Sequence, residues 1–340
     1  MNRLDSLDIL RGICAFGIMI YHYCFFIHGD YHAEDTLARF GIYGVSIFYV
    51  LSGLTMFLVY FDKFNFSTRF FKEFYVKRIF RIYPLMLFVL ILSYLIVGTN
   101  NSFVQQLIIA TGFFSIFDWA ANTPIGMWSI GNELCFYLFL PFIFFAIKKG
   151  KLFSLFFGVI LFSIYFYIAF CKFNPIAEDQ FESYYYKNPL NQIGLFYGGV
   201  LIGYFFKKFK IKMIYCLVII IFSVFIFIFF PIDGARRELY IGYPRVVFTL
   251  LCFMITLAFY KLDTSKINSY IKKILCFFGE ISYSVYLLHG LVWSMVLFLN
   301  LKIRYVFTIE VVTTVILSYL VYKLLEAPIR NFGYKILNKK

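Results

Sequence analysis

The chain has 340 residues, 62% of them hydrophobic and 23% aromatic, and a formal net charge of +14. That much apolar surface exceeds what a water-soluble domain of this length can bury, so a soluble fold is excluded. The charge alone would suit a nucleic-acid binder, but its placement along the chain does not.

Apolar runs of about 17–25 residues match the hydrocarbon core of a bilayer. Ten occur, at about 8–27, 40–61, 80–98, 125–147, 152–171, 190–206, 214–231, 241–260, 276–299 and 306–325. This predicts an all-α polytopic membrane helix bundle of about ten transmembrane helices. The stretch 103–118 is apolar but short and ends at Asp118, so it reads as re-entrant or interfacial. With the N-terminus in the cytoplasm, inner connections hold 24 of the 32 Lys and Arg and outer ones hold 8. That is the positive-inside asymmetry, and it predicts both termini cytoplasmic. Most basic residues are then topology determinants, and no nucleic-acid partner is expected.

The seven cysteines lie in or beside apolar segments without CxxC spacing. They read as small hydrophobes, with no disulfide frame and no metal site expected. The first span opens with Asp8 and Arg11 and lacks a small-x-small cleavage pattern, so it does not read as a signal peptide. The expected organisation is one membrane domain over 1–340 with no appended soluble domain.

Within the first span, Arg11 and His22 stand eleven residues apart. Eleven helical steps put them roughly 16 Å apart on one face. An ionisable group in a span is costly and marks a candidate site, and histidine exchanges protons near neutral pH. Asp8 lies three residues before Arg11, and that pairing alone would justify the arginine. The second span carries Gly44-Val45-Ser46 and Leu51-Ser52-Gly53. Close packing explains the small residues, although Ser52 can line a cavity.

A basic connection then ends in Lys77-Arg78-Ile79-Phe80-Arg81-Ile82-Tyr83-Pro84. On a helix Lys77, Arg78 and Arg81 share a side, where they can either hold phosphates or anchor the span to the inner surface. In the fourth span Ser129, Glu133 and Tyr137 recur every four residues. A carboxylate there needs a partner, and Glu133 can orient His22 or pair with Arg11. The outer connection 172–189 carries Glu178, Asp179, Glu182 and Tyr184-Tyr185-Tyr186, which fit either sugar stacking or an interfacial aromatic belt. Gly199 and Gly203 form a GxxxG, a packing motif. In the ninth span Ser282, Tyr286, His289 and Trp293 make a polar stripe.

Together these residues resemble the acyltransferase-3 family of bacterial membrane proteins, which transfer acetyl or other acyl groups to surface glycans. The resemblance rests on Arg11-x10-His22, Gly44-Val45-Ser46 with Leu51-Ser52-Gly53, the basic run with Ile82-Tyr83-Pro84, Trp128-Ser129 with Glu133 and Tyr137, and Tyr286-Leu287-Leu288-His289, in family order. It implies an O-acyltransferase, most simply an O-acetyltransferase, in the bacterial cytoplasmic membrane. His22 would be the general base, with Arg11 and Glu133 as further catalytic residues. Lys77, Arg78 and Arg81 would contact acyl-CoA, and Ser129, Tyr137, Tyr286 and His289 would line the substrate path. No permanent cofactor is expected. Acetyl-CoA or another acyl-CoA would be the donor, and a glycan or lipid-linked sugar the acceptor, with membrane lipid around the protein. A transporter or flippase for a glycan-lipid or anionic substrate is the alternative, since intramembrane His, Glu and Arg also build proton relays.

Overall fold

In the computed structural model, helix α2 (Thr36–Tyr60) is buried over most of its length and is the post around which the others stand. The structure describes residues 4–119, 121–172, 185–299 and 306–338. They are helices and connections, joined by one isolated antiparallel bridge between His32 and Ala235.

Helix α1 (Asp5–His28) and α2 pack antiparallel across a short turn. Helix α3 (Thr68–Val97) begins at an N-cap where Ser67 accepts from the Phe70 amide, and it carries the basic cluster on its first turns. Two short helices follow, α4 (Phe103–Thr111) and α5 (Phe114–Phe117). A capping box between Ser102 and Gln105 starts α4, and the left-handed Gly112 ends it. At about 1.5 Å per residue neither is long enough to cross a bilayer.

Helix α6 (Met127–Lys149) starts at Gly126 and carries Ser129, Glu133 and Tyr137 on one side. Helices α7 (Lys151–Tyr167), α8 (Pro189–Phe206), α9 (Met213–Phe229) and α10 (Gly242–Lys261) complete one half of the bundle. Helix α11 (Ser269–Glu280) bends by 58° into α12 (Ser282–Phe298). Helix α13 (Val306–Val321) passes through a π-type turn into α14 (Ala327–Asn338).

Helices therefore stand at all ten predicted segments, and the chain is an all-α polytopic bundle. Among the described residues seven helices are long and apolar enough to cross a membrane, or eight if the bent α11–α12 pair is one span. Helix α9, at 17 residues, falls short of that length.

Close packing of α2 on α8 explains the small residues of both. A Cβ on Gly199 would fall 2.0 Å from the Val50 carbonyl oxygen, and one on Gly53 would fall 1.9 Å from that of Phe196. Only glycine allows backbones so near. Arg39, counted above among the outer charges, is 2% exposed and closes the end of α9. Its guanidinium donates to the carbonyls of Phe227, Ile228 and Phe230 at 2.8–2.9 Å, oxygens the helix itself leaves without partners. Arg245 is likewise consumed inside. It donates to the Tyr240 and Asn191 carbonyls and lies 4.3 Å over the Tyr165 ring.

Candidate active site

Three cavities follow one another through the bundle. The first opens on the face where α1 begins and α3 carries its cations. It has a volume of about 610 Å³ and is lined by Lys63, Arg69, Lys77, Arg78 and Arg81, with Thr55 at its floor. Lys77 is half tied to Glu73 at 3.5 Å. Arg78 is deeper: it donates to the Tyr60 hydroxyl at 3.2 Å and lies over the Tyr60 and Tyr137 rings. The three expected donor-site cations thus share one mouth, although Lys77 serves only its rim.

Thr55, Arg78 and Arg81 also line the second, narrower cavity in the middle of the bundle. Arg11 lines it too, donating to Asp8 at 2.9 Å and to the Thr55 hydroxyl at 2.6 Å. Glu133 faces the same space and accepts from Ser52 at 2.7 Å and from the Tyr137 hydroxyl. Neither partner expected for Glu133 is the one it takes. α2 rather than α1 packs its hydroxyl against that face of α6, so Glu133 holds Ser52 and Tyr137 instead of His22 or Arg11. Ser52 is therefore a cavity residue as well as a packing residue.

At the far end of this cavity Ser129 donates to the Gly126 carbonyl at 2.9 Å. Its oxygen is left to accept the Tyr286 hydroxyl, 2.7 Å away. Gly126 has φ +81°, and a Cβ there would sit 3.1 Å from the Tyr286 ring. That ring pressed on that turn is the partition between the second cavity and the third.

The third cavity opens on the opposite face and is lined by His22, Asn122, Thr123, Gly126, Trp128 and Lys187. Burial pushes the Lys187 amine below its ordinary pKa. The Trp128 ring lies 5.4 Å from that of Tyr186, which in turn lies tilted 4.8 Å from that of Tyr240. Glu178, Asp179, Glu182 and Tyr184 lie outside the described residues.

His22 is held from behind. Its Nδ1 lies 3.0 Å from the Ile18 carbonyl and 3.1 Å from His289 Nε2, with the two rings stacked at 4.8 Å. His289 was expected to line the substrate path; the structure places it behind His22. It is 0% exposed and lines none of these three cavities, because α12 crosses α1 at this level and packs the two imidazoles together. Thr55, Tyr60 and Asn132 were not singled out from the sequence. Asn132, 0% exposed, donates to the Lys187 carbonyl at 2.9 Å and so ties α6 to the rim of the third cavity. One buried amide beside Glu133 in an apolar span was the available signal.

Residues 4–323 match the acyltransferase domain family. A Staphylococcus aureus (strain COL) protein with a provisional O-acetyltransferase name is 26% identical over 99% of this chain and 59% of its own length. The O-acetyltransferase OatA of Staphylococcus aureus (strain NCTC 8325 / PS 47) is 24% identical over 98% of this chain and 58% of its own length. The chain thus spans about three-fifths of the length of the curated relatives it matches. No solved structure matches it significantly. With helices of membrane-crossing length and a family match over nearly all its residues, the chain belongs to the acyltransferase-3 family of multi-pass membrane proteins.

Proposed function

We propose that the protein is an O-acetyltransferase that carries an acetyl group from acetyl-CoA on its basic face to a glycan hydroxyl on the opposite face. The observation that supports this most is the order of the cavities: a cationic mouth, a polar mid-bundle chamber, and a histidine-lined chamber, with the Tyr286 ring of the second lying against Gly126 of the third. The positive-inside charge count supports a basic mouth that faces the cytoplasm of a bacterial cell, where acyl-CoA is made.

In this reading the phosphates of the donor sit among Lys77, Arg78 and Arg81, held by charge-assisted hydrogen bonds. The pantetheine arm runs through the second cavity and displaces the Tyr286 ring to bring its thioester to His22. An acceptor sugar occupies the third cavity, where Trp128 offers an aromatic face. His22 removes the proton from the attacking hydroxyl. The oxygen bonds to the thioester carbon, the C–S bond breaks, and the proton passes from His22 to the departing thiolate. General-base assistance of this kind is worth roughly 100- to 10,000-fold.

Arg11 is too far away to share that step. About 16 Å of helix separates its Cα from that of His22, more than a guanidinium can bridge to a carbonyl at the imidazole. The hydroxyl of Tyr286, whose ring lies 6.0 Å from that of His289, is the donor near the reacting carbonyl. Arg11 then belongs to the donor channel.

The test is reconstitution in sealed vesicles with radiolabelled acetyl-CoA on the basic face and an oligosaccharide acceptor on the other. Wild type is expected to release CoA and label the glycan in equal amounts, and folded His22→Ala to do neither above background. Glycan labelling by His22→Ala at the wild-type rate would refute the role of the imidazole. Movement of ligand without CoA release would refute acyl transfer in favour of transport.

A further inference from the structure

His22 and His289 touch at the same level of the bundle, and each has its Nδ1 turned toward the carbonyl four residues earlier in its own helix. For His22 that carbonyl is Ile18 at 3.0 Å, and for His289 it is Val285 at 3.3 Å. A carbonyl oxygen only accepts, so both Nδ1 atoms carry the hydrogen. Neutral imidazole has one N–H, so both Nε2 atoms are then bare. For His289 the bare Nε2 points at the Nδ1–H of His22, 3.1 Å away. The opposite tautomers would set a lone pair of His22 against the Ile18 oxygen. One arrangement alone satisfies all these contacts.

The consequence falls on the other edge of the His22 ring. Among the described residues its Nε2 has no hydrogen-bond partner, and it is not one of the sealed polar atoms. It is the lone pair offered to the third cavity, which the ring lines. Residues around the pair do not replace this arrangement. Tyr23 donates to the His289 backbone carbonyl at 3.1 Å and shares a hydrogen with Thr314. The Tyr21 hydroxyl takes Arg236, and the Tyr286 hydroxyl goes to Ser129. Glu310 on α13, with both carboxyl oxygens buried, has no hydrogen bond to either ring. Among the described residues no carboxylate bonds to either imidazole.

We propose that His289 is the positioning residue of the site: its neutral Nε2 shares the Nδ1–H of His22 with the Ile18 carbonyl and so holds the ring in the direction that leaves His22 Nε2 free as the base. It does from an uncharged ring what a carboxylate does behind many histidines. When His22 takes the acceptor's proton it becomes a cation, its Nδ1–H becomes a stronger donor, and an imidazole nitrogen answers it better than a backbone carbonyl alone. The role rests on reading His22 as the base, but the tautomer itself does not.

The chain holds only four histidines, and His28 and His32 lie at the surface end of α1 and in the loop after it. Nitrogen-15 spectra of histidine-labelled protein in lipid nanodiscs can therefore separate the buried pair without any turnover. Wild type is expected to show His22 protonated at Nδ1 and bare at Nε2. His289→Leu is expected to leave the Ile18 carbonyl as the one acceptor, to shift the His22 Nδ1 resonance, and to lower kcat at least tenfold with the KM for acetyl-CoA unchanged. His289→Gln sets an acceptor oxygen where Nε2 was and is expected to restore both readouts in large part. His289→Asn, polar but with its oxygen where Nδ1 was, is not. Gln no better than Asn in two folded variants would overturn the proposal, as would a His22 Nδ1 resonance in His289→Leu that stays where it is in wild type. A fixed tautomer in wild type with an active His22→Ala would instead refute the base and leave the hydrogen-bond assignment standing.

Discussion

Arg11 and His22 stand on one helix and point to the same side, yet they line different cavities. Arg11 shares its chamber with Arg78 and Arg81, while His22 shares another with Trp128 and Lys187. Between them the Tyr286 ring closes on the Gly126 turn. The spacing that makes the two residues conspicuous in the sequence is also what separates their work. His22→Ala should then leave acetyl-CoA affinity near wild type while abolishing turnover. Arg11→Gln should weaken acetyl-CoA binding and cost about 1–3 kcal/mol of stability, because the buried guanidinium's hydrogen bonds to Asp8 and Thr55 are lost. Calorimetric titration of both variants with acetyl-CoA checks the split. Equal loss of affinity in the two would mean that they act as one site.

Tyr286 yields a second expectation. Its hydroxyl latches to Ser129 and its ring blocks the way between chambers. Tyr286→Phe keeps the ring and removes the donor, so kcat should fall by roughly 100-fold if that hydroxyl steadies the carbonyl oxygen. Tyr286→Ala removes the partition. Water should then reach the bound thioester, and CoA release should outrun glycan labelling. Counting both products in one assay decides it: release and labelling that stay equal in Tyr286→Ala would mean the ring is not the barrier.

What could be read in advance follows the range over which sequence patterns act. Apolar runs and helix faces are local, so the segments, the Arg11–Asp8 pair, the shared side of the basic cluster and the packing role of Gly199 all showed in the spacing. Contacts between helices are not local. The partner of His22 lies 267 residues away in α12, and nothing in either segment announces that α1 and α12 cross at that level. Glu133 advertised a need for a partner, but which neighbour met it depended on α2 packing beside α6. Arg39 looked like a topology charge, and only the fold shows it closing the end of α9.

That arginine is the third case. Three carbonyls of α9 and the Ala33 carbonyl converge on its guanidinium. A lysine has one head and cannot meet this fork of acceptors. Arg39→Lys should keep the charge and still lower stability, by about 1–3 kcal/mol, because carbonyls are left without donors. A thermal melt in detergent reads this. An unchanged Tm would mean the charge alone is needed.

Helix α8 supplies the last case, since two of its glycines meet opposite surroundings. A methyl on Gly199 would strike the Val50 carbonyl at 2.0 Å, a backbone atom that cannot swing away. A methyl on Gly194 would rest 3.4–3.5 Å from the rings of Tyr165 and Phe162, ordinary van der Waals contact. Both positions are helical, so alanine should reduce the freedom of the unfolded chain equally at each, worth up to about 1 kcal/mol. Only the steric term differs. Gly199→Ala has to push α2 and α8 apart, and overpacking of that kind costs about 1–3 kcal/mol or more. Because α2 also carries Ser52 and Thr55, the displacement should reach the second cavity and lower activity along with stability. Gly194→Ala should melt at or above the wild-type temperature with activity intact. If the two variants melt together, the α2–α8 seam is not the tight contact described here, and the GxxxG spacing has no structural consequence at this position.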